Sequence, residues 1–135
     1  MLEMRVYIKE DNFVLGKMYY FTLHEVSRGD IEILGKNGER WTRCLSCYED
    51  AGEHDEIMFF IGREDKNGKK IFTGDVVEVL DTRYLVQYDK ESMGIYPFSQ
   101  PALGGYEWES VDPRYATVLG NKYENPALLV GCEGL

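Results

Sequence analysis

The stretch of sequence that decides the fold is IGREDKNGKKIFTGDVV, residues 61–77. Asn67-Gly68 at its centre is a dipeptide that accepts positive φ at both central positions of a tight turn, so the apolar residues around it are expected to pair as a hairpin. Gly74-Asp75 marks a second reversal before the β-branched run 76–79. The stretch therefore predicts three strands joined by two turns, which specifies architecture and no chemical step.

Strand-like segments continue on both sides of this stretch. They are rich in β-branched and aromatic residues, and turn residues separate them. The predicted strands cover residues 4–9, 17–26, 31–34, 41–44, 57–61, 83–88, 94–98, 106–109 and 115–123. The uninterrupted apolar run 57–61 is typical of a strand buried on both faces. We expect an all-β fold, mainly antiparallel, with short helical turns near 46–55 and 125–129.

The length of 135 residues predicts one domain with a sizeable core. We therefore predict a single domain, 1–135, with a small barrel-like carboxyl-terminal half at 57–130 and an amino-terminal β segment at 1–56. Five acidic residues between positions 49 and 56 indicate a solvated connection between the two halves.

The charge balance narrows the classes of partner. Fifteen Lys and Arg against 24 Asp and Glu leave a net charge of −9, which repels nucleic-acid phosphates unless basic side chains gather on one face. No run approaches the roughly 18 apolar residues of a membrane span, and residues 1–12 lack the apolar core of a signal peptide. Three cysteines do not form the framework of a secreted domain. We predict a cytoplasmic protein with reduced cysteines.

Several residues are predicted to shape turns. Asp75 follows a glycine and is expected to accept hydrogen bonds from nearby backbone amides; a functional carboxylate is the alternative, but no base or nucleophile stands beside it in the sequence. Gly120-Asn121 predicts a bulge, and Asn125-Pro126 predicts a helical start at which the Asn side chain caps the free amides. Four glycines are expected at corners where a Cβ would collide, namely Gly62, Gly68, Gly74 and Gly120.

Cys44 and Cys47 have the spacing of half a zinc site or of a redox dithiol. The remaining zinc ligands would be His54 and Cys132, at unmatched spacing, and the βαβ setting of a redox motif is absent. We interpret the pair as ordinary, half-buried thiols, and we predict no metal and no other cofactor.

A catalytic site would need His24 or His54 as a general base beside a carboxylate. His54 lies in the acidic segment, where a solvated loop histidine is the simpler interpretation. The glycines fall at strand turns and not in a phosphate-binding loop before a helix. We therefore predict no catalytic residues and no enzyme activity.

Lys66, Lys69 and Lys70 form a small basic cluster at the predicted hairpin tip. Such tips sometimes contact phosphates, so these lysines are the candidates for a binding site. The ordinary alternative is that they keep an exposed turn soluble.

The ordered motifs of the carboxyl-terminal half resemble the YopX family of phage and prophage proteins. The first motif is IG followed by DKNGKKIF and GDVV within residues 61–77, and the second is VLGN at 118–121 with YENP at 123–126. The likeness is good from Met58 to Leu129 and thinner before it. The resemblance implies a small, mostly β, cytoplasmic protein of a temperate phage that assembles into oligomers, without an established biochemical role.

Two functional classes follow. The first is a non-enzymatic accessory protein that self-associates and presents a surface to a host or phage protein, which the ten Tyr of the chain support because they exceed what one small barrel buries easily. The second is a nucleic-acid or nucleotide binder on a small β-barrel, using aromatic stacking and the lysine cluster. An acidic surface that imitates a nucleic-acid backbone toward a host DNA-binding protein is a further hypothesis from charge alone.

Overall fold

The computed structural model describes residues 3–23, 25, 30–45, 56–89, 94–98 and 110–133. Every strand pair in it is antiparallel, and its two helical pieces are 3-10 turns at Pro113–Tyr115 and Pro126–Leu129. The expected all-β class is confirmed. The strands are β1 (Glu3–Ile8), β2 (Lys17–Thr22), β3 (Asp30–Leu34), β4 (Arg40–Cys44), β5 (Ile57–Glu64), β6 (Lys70–Phe72), β7 (Asp75–Val79), β8 (Thr82–Leu85), β9 (Gln87–Asp89), β10 (Gly94–Tyr96) and β11 (Thr117–Asn121).

The chain divides into two compact units, Met1–Phe59 and Phe60–Leu135. The division falls inside β5, whereas the acidic segment proposed as the connection lies mostly outside the described residues. No helix in the described parts of the chain is long and apolar enough to cross a membrane.

The first unit is built around β1. Its residues pair with β2 over the full strand, and Met4–Val6 pair on the other side with Ile57–Phe59 of β5. β3 and β4 form a separate hairpin closed by the turn at 36–39. The core of this unit consists of apolar side chains of β1 and their neighbours, Met4, Val6, Ile8, Val14, Phe21 and Ile33.

The second unit surrounds its own core with short strands. β5 and β6 form the hairpin that the Asn67-Gly68 dipeptide predicts, and β11, β7 and β8 form a three-stranded sheet. β9 and β10 add a ribbon. The five most buried members of the core are Ile71, Val77, Val79, Val86 and Ala116. This arrangement agrees with the barrel-like carboxyl-terminal half expected from the sequence.

Three local expectations are wrong. The run 57–61 is a strand, but only Met58 in it is buried, and Phe59 is 43% exposed. The predicted strand 83–88 is interrupted at Val86, whose backbone bonds to Gly74 and Asp75 instead of continuing a ladder. The bulge in β11 inserts Leu119, one residue before the predicted Gly120-Asn121. The predicted strand 106–109 and the helical turn near 46–55 lie outside the described residues.

Candidate protein-interaction surfaces

Asp65 is the centre of the hairpin that the sequence singled out. Its Oδ1 accepts hydrogen bonds from the backbone N–H groups of Asn67 and Lys69, both at 2.9 Å, and its Oδ2 accepts one from Val118 at 2.9 Å. Burial disfavours the charged carboxylate, but the bonds from Val118, Lys69 and Asn67 outweigh it, and the pKa of Asp65 is lowered. The carboxylate therefore fixes the β5–β6 turn to β11.

The other turn residues use their polar groups in the same internal way. The Asp75 Oδ2 accepts a hydrogen bond from the Phe72 N–H at 2.8 Å, at a buried position. The Asn121 Oδ1 accepts from the N–H groups of Tyr123 and Glu124, and its Nδ2 donates to Glu124 Oε1 at 2.7 Å. These contacts are those of side chains that hold backbone turns in place.

Asn125 differs from the expectation that it caps the turn beginning at Pro126. Its side chain makes no cap hydrogen bond; its Oδ1 instead accepts from the Asn121 N–H at 3.2 Å. Pro126 does occupy the start of the 3-10 turn. Asn125 accepts this bond because the tight turn after β11 brings the Asn121 N–H within reach of its side-chain oxygen.

The four corner glycines are required for two different physical reasons. Gly62, Gly68 and Gly74 have φ of 83°, 81° and 88°, the left-handed region that disfavours a Cβ. Gly120 has no such φ, but a Cβ there would lie 2.7 Å from Asn125 Cγ and 2.9 Å from Leu128 Cδ1. Space, and not backbone conformation, requires glycine at position 120.

Lys66, Lys69 and Lys70 are brought together on one exposed turn. Lys70 Nζ lies 5.5 Å from the centroid of the Phe60 ring, a cation–π contact. None of the three lysines lines the β5-side cleft at 60–64 and 110–114 or the smaller cleft beside Tyr19–Phe21. The described hairpin tip is an exposed basic surface.

The cysteine and histidine candidates are not brought together. Cys44 ends β4 and is disulfide-bonded, which differs from the expected thiol; Cys47, His24 and His54 lie outside the described residues. Cys132 is a half-buried free thiol whose pKa is raised by burial. No group of three or more His, Cys, Asp or Glu suited to a metal occurs among the described residues.

An exposed aromatic surface on the first unit was not singled out from the sequence. Trp41 lies opposite Ile33 in the β3–β4 ladder, so both side chains point to the same face, and Ile33 is buried in the core of the unit. Trp41 nevertheless remains 44% exposed and Phe13, whose ring centroid is 5.9 Å away, 62% exposed. We call Phe13, Trp41 and Arg43, which share this side of the hairpin, the Trp41 face.

A groove of about 810 Å³ lies in the second unit. One wall is the run Phe60–Glu64 of β5 and the other is 110–114, with Ile95 and Phe98 between them. We call it the β5 groove. Its volume falls in the range of roughly 300–1,000 Å³ that ligand sites occupy.

Two arginines and two acidic residues line the β5 groove. Arg114 Nη2 donates to Asp112 Oδ2 at 2.7 Å, and its Nε donates to the same carboxylate. The side-chain and backbone hydrogen bonds from Arg114 lower the pKa of Asp112, and the nearby Arg63 charge adds to this. Arg63 lies on the same groove and acts on Asp112 through its charge.

Residues 4–130, nearly the whole chain, match the family model described as YopX protein. No curated protein sequence matches the chain.

Proposed function

This chain is a member of the YopX family, and we propose that it is a non-enzymatic accessory protein of a temperate phage that associates with itself and binds a further protein of the phage or its bacterial host. YopX is not a known enzyme family. The proposal places the protein in the cytoplasm of that host. The single observation that supports it is the Trp41 face.

The Trp41 face lies on the side of the hairpin that packs into the core, yet Phe13 and Trp41 on it stay partly exposed. Ile31 and Ile33 of β3 pack into the first unit on this side, while Trp41 on the neighbouring strand stays partly in water. The opposite side of the hairpin is polar, and Arg40 Nη1 contacts Glu32 Oε2 there at 3.2 Å, with both side chains exposed. Aromatic residues left at such a surface are enriched at protein–protein contacts.

β4 also offers a strand edge. Among the described residues β4 pairs with β3 alone. The proposal is that its other edge forms backbone hydrogen bonds with a strand of a second copy. Two-fold symmetric dimers use the same patch on both copies, and antiparallel pairing of β4 with β4 satisfies that symmetry.

Charge selects one register for this pairing. An axis at Thr42 places Trp41 of each copy opposite Arg43 of the other, on the same face, where a cation–π contact contributes about 0.5–1 kcal/mol at an exposed site. An axis at Arg43 would place the two guanidinium groups opposite each other. Because the net charge of −9 opposes association of identical chains, a register with attractive local charges is required.

The test is the mass of the protein in solution. We expect sedimentation at micromolar concentration to give a dimer or a multiple of it, and Trp41→Glu to give a monomer that remains folded by circular dichroism. Tyr115→Glu is the matched control, because it places the same charge on an exposed aromatic residue of the second unit. A monomeric wild-type protein, or equal dissociation by both variants, would exclude self-association through the Trp41 face.

A further inference from the structure

We propose that residues 130–133 form a strap that opens while the rest of the second unit stays folded, and that Arg83 holds this strap closed against β8. The strap lies in the second unit and is independent of the self-association proposed for β4. Three observations support the inference: the hydrogen bonds that Arg83 makes on both sides of a chain reversal, the exposure of the strap, and its position beside two tyrosine rings.

Arg83 contacts the chain before and after the reversal at Gly131. Its Nη1 donates hydrogen bonds to the backbone oxygens of Leu128 and Val130, both at 3.3 Å. Its own backbone oxygen accepts a hydrogen bond from the Glu133 N–H at 2.8 Å. The guanidinium therefore fixes the chain before Gly131, and the main chain of the same residue fixes it afterwards.

The strap contributes little buried surface to the second unit. Val130 is 79% exposed, Glu133 is exposed, and Cys132 is half-buried. Segments with few buried apolar contacts open locally at a lower free energy than the whole fold. In β7, by contrast, Val77 and Val79 belong to the buried core. We therefore expect the strap to open while β7 remains paired.

Opening of the strap changes the surroundings of two tyrosines. Tyr84 of β8 forms an isolated parallel bridge with Glu133, and its ring centroid lies 5.9 Å from that of Tyr96 in an edge-on contact. Burial raises the pKa of Tyr96, and the nearby Tyr84, Glu133 and Cys132 add to this. The closed strap thus lies beside both rings. Opening increases their exposure and frees the backbone oxygen of Arg83 at the edge of β8.

Cys132 reports the opening because it lies within the strap. Its Sγ donates to the Leu128 oxygen at 3.2 Å, and burial raises the pKa of the thiol although the Arg83 charge lowers it. The thiolate is the form that reacts with alkylating reagents. Arg83 therefore affects alkylation in two opposite ways: its charge favours the reactive thiolate, whereas its hydrogen bonds keep the strap closed. The sign of the change on removing Arg83 distinguishes the two effects.

The first test measures alkylation of Cys132 by N-ethylmaleimide at fixed pH, with the modified peptide quantified by mass spectrometry. We expect Arg83→Gln to accelerate this reaction about tenfold or more, because the strap then opens more often. Arg114→Gln removes an arginine of the same unit whose side chain is 81% exposed, and this matched control should change the rate less than about twofold. A rate that is unchanged or lower in Arg83→Gln would overturn the proposal, because Arg83 would not be holding the strap closed.

Amide hydrogen exchange, measured by NMR, separates local opening from general loss of stability. In the wild-type protein we expect the Glu133 N–H to exchange at least about a hundredfold faster than the Val77 N–H of β7. In Arg83→Gln the exchange of Glu133 should accelerate further while that of Val77 keeps its wild-type rate. Equal protection of the two amides in the wild type, or equal acceleration in the variant, would show that the strap opens only with the whole unit and would refute the inference.

Gly131→Ala is a second variant that leaves Arg83 in place. Gly131 has φ of 84°, which disfavours a side chain, although the space around a Cβ built there is open. The substitution should therefore weaken the reversal and accelerate alkylation of Cys132 about fivefold. If Arg83→Gln is poorly folded, this variant decides, and an unchanged rate in it contradicts a strap that opens by itself.

Discussion

The β5–β6 hairpin of the second unit and the β3–β4 hairpin of the first are closed by similar turns, Lys66-Asn67-Gly68 and Lys36-Asn37-Gly38, yet they treat their side chains differently. In the β5–β6 hairpin, the buried carboxylate of Asp65 joins the turn to a strand more than fifty residues away in sequence. The β3–β4 hairpin has instead an aromatic residue on its inner face that stays partly in water. The first arrangement fixes a fold; the second leaves surface for a partner.

This difference teaches where to look for function in the chain. Residues with distinctive sequence signals, such as Asp75 and Asn121, use their polar atoms on neighbouring backbone groups. Polar groups used in this way do not recognise a ligand. Trp41, which stays partly in solvent, lies in a segment with an ordinary strand sequence.

The largest effect is expected at Asp65. Asp65→Ala leaves three backbone N–H groups without their acceptor at a position only 7% exposed, and we expect a loss of about 3 kcal/mol in the free energy of unfolding. Urea denaturation followed by circular dichroism measures it. Asp30→Ala, at an exposed position of the β3–β4 hairpin, is the control and should change stability by less than about 0.5 kcal/mol. Similar losses in the two variants would remove the contrast between the hairpins.

Smaller losses in the free energy of unfolding are expected when Gly120 or Gly62 is replaced by alanine. Gly120→Ala forces a Cβ against Asn125 and Leu128, and we expect it to cost about 2 kcal/mol because the turn after β11 must shift. Gly62→Ala meets open space, so only its left-handed backbone opposes it, at about 1 kcal/mol. Thermal unfolding of both variants ranks them, and a more damaging Gly62→Ala would show that backbone strain outweighs packing here.

The loss of stability at low pH tests the role of the Asp65 carboxylate without shortening its side chain. The pKa of Asp65 is lowered in the folded state from its ordinary value of 3.8, so the folded state binds fewer protons. The stabilisation is complete above pH 3.8 and is lost as the pH falls through the folded-state pKa. We expect the difference in urea midpoint between wild type and Asp65→Asn to be constant at pH 5–7 and to shrink below pH 3.8. A constant difference down to strong acid would contradict a charged Asp65 in the fold.

The sequence predicted most of the described strands and turns, because their signals are local, although it missed the break at Val86 and the position of the bulge in β11. Asn67-Gly68 and the glycines with positive φ fix the corners, and β-branched runs fill the space between them. The sequence was not sufficient to predict which apolar side chains remain exposed. The run 57–61 is apolar enough for burial on both faces, but Phe59 stays 43% exposed although it pairs with Met4 of β1. Burial of its face depends on which distant elements pack against it, and no window of sequence contains that information.

The same limit explains the candidate sites. Asp65 stands within the motif that carries the family resemblance, but its bond from Val118 joins residues 53 positions apart and has no local signature. Trp41 falls in a predicted strand, and alternation gives its face, but whether that face is covered depends on the neighbours that tertiary structure supplies. Arg63 was not singled out from the sequence, because its place in the groove follows from the irregular pairing of β5 with β6.

The smallest effects are expected at the lysines that flank Asp65 on its own hairpin. Lys66→Ala and Lys69→Ala remove exposed charges and should change the free energy of unfolding by less than about 0.5 kcal/mol. Lys70→Ala also loses the contact with the Phe60 ring, worth about 0.5–1 kcal/mol at an exposed site. Urea denaturation of the three single variants beside Asp65→Ala measures both extremes within one turn. Should Lys66→Ala cost as much as Asp65→Ala, the lysine cluster would be part of the structural lock, and its exposed position would no longer separate it from the carboxylate that holds β11.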